Sequence, residues 1–273
     1  LELFKDMAEF DMPTLMIVSH GNSGNGGDPA GTLAEAVRDH WSGFVHHGYM
    51  RSQPSVADQL AKLKRNHDAS ELIVFPLFFS EGYLVFQELP RNLRDAGLDR
   101  AVILPPAINL PGFAEMVSRH VNSAMVRRGW DCSETSVFLV PHGLKTLTKA
   151  LPETVRLANE VGQFCPDAEI CIGNIEGNPS IRDWRKIGSR KRAVIVPMLA
   201  GGGTHATTDL PEMIAGQPDE AIEILDPIGE WAELPDLILK EAAKYVRSEM
   251  GRPNLRLSAN AKDGHAASSA AIV

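Results

Sequence analysis

Three residues far apart in the chain could share one chemistry. His142 follows the apolar run SVFLVP and precedes Gly143, Glu176 sits in CIGNIEGNPS just ahead of a glycine, and His205 sits in GGGTHATTDLP behind Gly201, Gly202 and Gly203. Neutral imidazole binds metal ions and accepts protons near pH 7, and a carboxylate adds a charged oxygen. Two imidazoles and a carboxylate suit a borderline divalent ion such as Co2+, Fe2+ or Ni2+, with coordination positions left open for a substrate. Each residue alone has an ordinary reading as a turn or surface group, so the fold must bring them together before they mean anything.

The elements around them have that capacity. Apolar β-rich runs alternate with helical periodicity, the signature of βαβ units and parallel sheets covered on both faces. Strands are predicted near 13–19, 44–50, 71–78 and 101–105, and again near 136–141, 168–175, 192–199 and 221–226. Helices are predicted near 30–42, 54–67, 88–97 and 111–128, then near 147–164, 179–188, 209–215 and 232–249. Open α/β sheets bind ligands outside the carboxyl ends of their strands. His142 follows the first strand of the later set, Glu176 ends the second, and His205 follows the third after a glycine turn. One sheet edge should therefore carry all three.

The two sets of elements are an internal repeat. TLMIVSHG, ending at His20 and Gly21, returns as SVFLVPHG 122 residues later; Pro76, Pro90 and Pro106 return as Pro197, Pro211 and Pro227, each 121 residues on. The expected architecture is α/β, two similar Rossmann-like or flavodoxin-like halves whose parallel sheets face a central cleft. Residues 1–130 form the first half, 131–250 the second, and 251–273 a mobile tail. In the first half His20 matches His142, but Leu84 stands for His205 and Arg51 for Glu176. An arginine cannot ligate a metal, so that half has lost two of three ligands and should serve as the opposite wall.

Composition excludes other classes. With 35 acidic and 27 basic residues the net charge is −8, against the basic excess of a nucleic-acid binder. Cys132, Cys165 and Cys171 show no CxxC spacing and indicate neither a disulfide framework nor a thiolate metal site. No apolar run approaches the roughly 18 residues of a membrane span. The opening LELFKDMAEFDM is acidic rather than signal-like. A cytoplasmic protein without membrane or nucleic-acid partners is expected.

The motifs VPHG, NIEGNP and PMLAGGGTHATTDLP resemble the class II tetrapyrrole chelatases, above all the two-half sirohydrochlorin cobaltochelatase and ferrochelatase type, over roughly residues 12–250. The resemblance implies a chelatase-like fold and insertion of a divalent metal (Co2+, Fe2+ or Ni2+, itself a substrate) into a tetrapyrrole, in cobalamin or siroheme biosynthesis and with no organic cofactor. It implies that His142 and His205 bind metal and take protons, with Glu176 as acidic partner. His20, Gly143, Gly202 and Gly203 are the expected ring-binding positions, and Arg51, Lys145 and Lys149 are rim candidates for ring carboxylates. A carrier or sensor that keeps the site without turnover is the second reading, and a phosphoesterase, whose Arg-His-Gly signature is absent, the third. Whether the chain works alone or as a homodimer stays open.

Other features have plainer expectations. HGNSGNGGDP lacks a Walker ending and reads as a ligand-lining loop. His46 and His47 alternate faces of a strand, and Asp209 starts a helix as N-cap or first-turn acid. The four tryptophans, Trp41, Trp130, Trp184 and Trp231, read as core. His40, His67, His120 and His265 are assigned to helix surfaces and the tail.

Overall fold

The computed structural model describes residues 12–21, 27–66, 71–215 and 221–250. The tail from 251 with His265, residues 22–26 of the first glycine loop, and His67 lie outside the described residues. The first half runs β1 (Thr14–Ser19), α1 (Pro29–Arg38), β2 (Val45–Tyr49), α2 (Val56–Arg65), β3 (Leu72–Pro76), α3 (Leu89–Asp95), β4 (Val102–Ile103) and α4 (Phe113–Arg128). The second runs β5 (Thr135–Pro141), α5 (Pro152–Phe164), β6 (Glu169–Ile172), α6 (Trp184–Ile187), β7 (Arg192–Met198), α7 (Leu210–Ile214), β8 (Ile222–Ile224) and α8 (Leu234–Met250).

Each half is one four-stranded parallel sheet, in order β2-β1-β3-β4 and β6-β5-β7-β8. The central strands are buried along their whole length, as the continuous apolar runs TLMIVS and LIVFP require. The repeat extends to fine detail. Gly21 and Gly143 both have positive φ, and Gln53–Pro54 and Asn178–Pro179 are both cis. A single wide π turn precedes α3 (Leu84–Glu88) and another precedes α7 (His205–Asp209).

Three expectations need correction. The helix expected over 147–164 starts at Pro152, which fits the first helical turn where no N–H is needed. The helix expected over 179–188 divides into a 3-10 turn, Ile181–Asp183, and the short α6. Asp209 caps nothing: it already has helical φ and ψ, because the wide turn begins four residues earlier, and its side chain makes no cap hydrogen bond.

Three hydrophobic clusters hold these layers together. One, with Met16, Val18, Leu60 and Leu89, lies under α2 and α3; another, with Phe138, Ile195, Trp184 and Leu210, lies under α6 and α7. The third joins Leu15, Ile17, Phe75 and Phe113 of the first half to Leu139, Val196, Trp231 and Ile238 of the second, so the halves share one core. Trp41, Trp184 and Trp231 are buried and Trp130 is partly buried against the shared cluster. His120 lies on α4, as expected of a helix-surface residue, but it is partly buried against the second half. Its ring stacks on Trp231 with centroids 3.8 Å apart and planes 8° apart, and its Nε2 lies 3.0 Å from Glu233.

Because the third cluster belongs to both halves, unfolding should be one cooperative transition. Phe113→Ala removes a fully buried ring there and should cost about 3–5 kcal/mol while keeping a single transition. Denaturant melts followed by far-UV and tryptophan signals check this, and two separated transitions would contradict a common core.

Candidate active site

His142 stands immediately past β5, where the chain turns sharply under the loop from β6. The Glu176 N–H donates to the His142 carbonyl at 2.7 Å, and Gly143 pairs with Glu176 as an isolated bridge. Gly143 has φ +74°, and a Cβ there would run into the Glu176 carbonyl, so only glycine permits this approach. His142 Nδ1 lies 3.0 Å from the Gly143 carbonyl. A carbonyl only accepts, so Nδ1 carries the proton and Nε2 keeps its lone pair.

His205 arrives from β7 through the glycine loop, which is fastened on two sides. The Gly202 N–H donates to Glu230 Oε1 at 2.5 Å, and Gly201 sits so close to Pro29 of the first half that a Cβ would stand 3.0 Å from the proline ring. The wide turn then sets His205 and Asp209 on one face, with His205 Nδ1 2.6 Å from Asp209 Oδ2. The carboxylate accepts a hydrogen bond from Nδ1–H and leaves Nε2 free, the arrangement in which a second group orients a ligating imidazole.

The two free nitrogens meet. His142 Nε2 and His205 Nε2 are 3.0 Å apart, with ring planes at 78°. Two lone pairs at that distance repel unless a proton or a cation lies between them. Two nitrogens each about 2.1 Å from one ion and about 90° apart are about 3.0 Å from each other, so the spacing matches neighbouring positions on a six-coordinate ion. The pair is half-exposed at the sheet edge, open to a flat partner.

Glu176 shares this edge through its backbone, but its carboxylate faces Lys145, with Oε1 3.8 Å from Nζ. Among the described residues no three His, Cys, Asp or Glu side chains stand close enough together to hold a metal ion. The structure thus joins His142 and His205 and leaves Glu176 beside them. The cysteines are free thiols; burial pushes Cys171 up to about 12, so it stays protonated. A hollow of about 440 Å3 between α4 and α5 lies apart from these residues and brings only Arg156, Glu115 and Glu160 as charged groups.

The first half repeats the frame without the imidazole pair. His20 Nδ1 lies 3.0 Å from the Gly21 carbonyl, as in the other half, but among the described residues no second imidazole meets it. The Arg51 N–H donates to the His20 carbonyl at 2.8 Å, where Glu176 serves His142. Arg51 binds Glu88 with both terminal nitrogens, at 2.5 and 2.6 Å, and holds that carboxyl below the usual carboxylate range. Two groups that the structure sets against these residues were not read as their partners from the sequence: Asp209, read as a helix start although it stands four residues from His205, and Glu230, which has no local motif.

Residues 14–124 match the CbiX family model. A probable sirohydrochlorin cobaltochelatase of Halobacterium salinarum is 24% identical over 229 residues, covering 74% of this chain and 76% of its own. Among solved structures, CbiX, the terminal enzyme of siroheme biosynthesis in denitrifying bacteria, aligns with a TM-score of 0.63 and 24% identity over 86% of this chain and 98% of its own. SirB from Bacillus subtilis, solved with Fe3+, aligns with a TM-score of 0.66 and 17% identity over 88% and 98%. No helix among the described residues is long and apolar enough to cross a membrane. The sequence match falls on the half that lacks the imidazole pair, and the fold the chain shares with these solved structures spans both halves.

Proposed function

We propose that the protein inserts a divalent metal ion, Co2+ or Fe2+ and by the same donor set Ni2+, into a sirohydrochlorin-type tetrapyrrole, as a step of cobalamin or siroheme formation. The observation that carries this reading is the convergence of two free imidazole nitrogens, 3.0 Å apart, at an open sheet edge. The likeness of the chain to a probable sirohydrochlorin cobaltochelatase and to CbiX and SirB supports the choice of ring.

Insertion adds one M2+ to the ring and releases two pyrrole N–H protons. His142 and His205 hold the incoming ion at Nε2 and, once it passes to the ring, those nitrogens are free to take the two protons. Asp209, behind His205, stabilises the imidazolium that results. Glu176, on the same loop as the His142 contact, is the third group; rotation of its side chain away from the exposed Lys145 brings its charge toward the ion. His20, Gly143, Gly202 and Gly203 line the path of the flat ring, the glycines by presenting backbone without side chains. The first half is the opposite wall. Both walls belong to one chain, so the reading needs no second copy, and it needs no organic cofactor. Three free thiols fit a cytoplasmic setting.

His142→Ala and His205→Ala should each lower the rate of Co2+ insertion into sirohydrochlorin by orders of magnitude, and His20→Ala much less. The absorbance change of the ring under anaerobic conditions measures it. Equal severe losses at His20 and His142 would contradict a single site in the second half.

Asp209→Asn keeps a hydrogen-bond acceptor but removes the charge behind His205, and should weaken Co2+ binding about 10–100-fold. Titration of the cobalt absorption bands of the protein without tetrapyrrole reads this directly.

Protons and metal compete for the same Nε2 atoms, so Co2+ affinity should fall steadily as pH is lowered while the fold, followed by circular dichroism, persists. Affinity independent of pH across the acid range would remove the imidazoles from the ligand set.

A further inference from the structure

The first half has kept the frame of the metal site and refilled it with different chemistry. Leu84 and Glu88 stand 121 residues before His205 and Asp209, on the matching wide turn. Arg51 stands where Glu176 stands, hydrogen-bonded through its backbone to His20 as Glu176 is to His142. The carboxylate that orients an imidazole in one half therefore grips an arginine in the other.

That arginine is not committed to the fold. Its side chain is 46% exposed; it donates to the Met50 carbonyl at 3.0 Å, and among the described residues the one side chain it pairs with is Glu88, itself 13% exposed. Two large aromatic side chains are exposed on or next to the turn that carries Glu88, Tyr83 at 52% and Phe86 at 55%, where the second half has Thr204 and Thr207. Tyr83 is close enough for its phenol to act on the Arg51 charge. A half-exposed guanidinium fork with an exposed ring close by and a second on the neighbouring turn suits a ligand that is flat, apolar on its faces and anionic at its edge.

We propose that Arg51 is the substrate-anchoring residue of this protein: it exchanges Glu88 for a peripheral carboxylate of the tetrapyrrole, while Tyr83 and Phe86 cover part of the macrocycle. The proposal rests on the chelatase reading for the identity of the ring, though not on turnover. Glu88 is a holder that keeps the fork extended before the ring arrives. When Arg51 leaves, Arg91 remains near enough to act on the Glu88 charge. In this role the two partners of one ion pair affect binding with opposite signs, which a merely structural pair would not do.

The experiment is equilibrium binding of metal-free uroporphyrin, an octacarboxylate ring, followed by fluorescence, with Co2+ titration of the same proteins as a check on the imidazole pair and thermal melts as a check on the fold. Arg51→Met should weaken porphyrin binding about tenfold or more, and Arg51→Lys, which keeps the charge but not the fork, should fall between. Glu88→Gln should tighten binding, because Arg51 no longer has to leave a charged partner. Arg51→Met with Glu88→Gln should bind like Arg51→Met alone, and Co2+ binding should be unchanged throughout. If both single variants weaken binding alike, or neither alters it, the anchor is wrong, whatever the insertion assay gives. Wild-type protein that binds the porphyrin with the expected pattern but inserts no metal into sirohydrochlorin would sink the insertion reading and leave the anchor standing. Wild-type protein that neither binds nor inserts would sink both.

Discussion

Everything at the candidate site depends on two nitrogen lone pairs that face each other across 3.0 Å. Such a contact is unfavourable on its own, and the surrounding structure exists to impose it. The Gly143 carbonyl and the Asp209 carboxylate each claim an Nδ1 proton, which drives both free lone pairs onto the ε nitrogens. The positive φ of Gly143 turns the chain so that His142 points along the sheet edge, and the wide turn rotates His205 to meet it. A proton or a cation between the two nitrogens relieves the repulsion.

The repeat shows how the same frame can carry other chemistry. The paired glycines, the cis prolines and the two wide turns are backbone features, and they persist in both halves. The side chains hung on that frame do not. One half presents imidazoles and carboxylates, the other an arginine, a carboxylate and exposed aromatics.

Much of this was legible in the sequence because it rests on periodicity and connection. Buried parallel strands announce themselves as unbroken apolar runs, and parallel topology sends the ends of β5, β6 and β7 to one edge, so the meeting of His142 and His205 followed from strand order. What stayed hidden depends on geometry finer than a period. A π turn adds one residue per turn without altering composition, so Asp209 read as the start of a helix instead of the partner of His205. The direction of the Glu176 carboxylate is a rotamer choice beside an exposed lysine, which no pattern encodes. His120 read as a surface residue because its partners, Trp231 and Glu233, lie more than a hundred positions away.

The loop that carries His205 leans on Pro29 of the first half and is tied to Glu230 ahead of α8. His142, by contrast, is fixed entirely within the second half, by Gly143 and the loop at Glu176. Of the two imidazoles, only the one on the His205 loop therefore has a described contact that reaches the first half. A disturbance of α1 at Pro29 is thereby felt by the loop of one imidazole and not by the frame of the other, so the two rings need not move together.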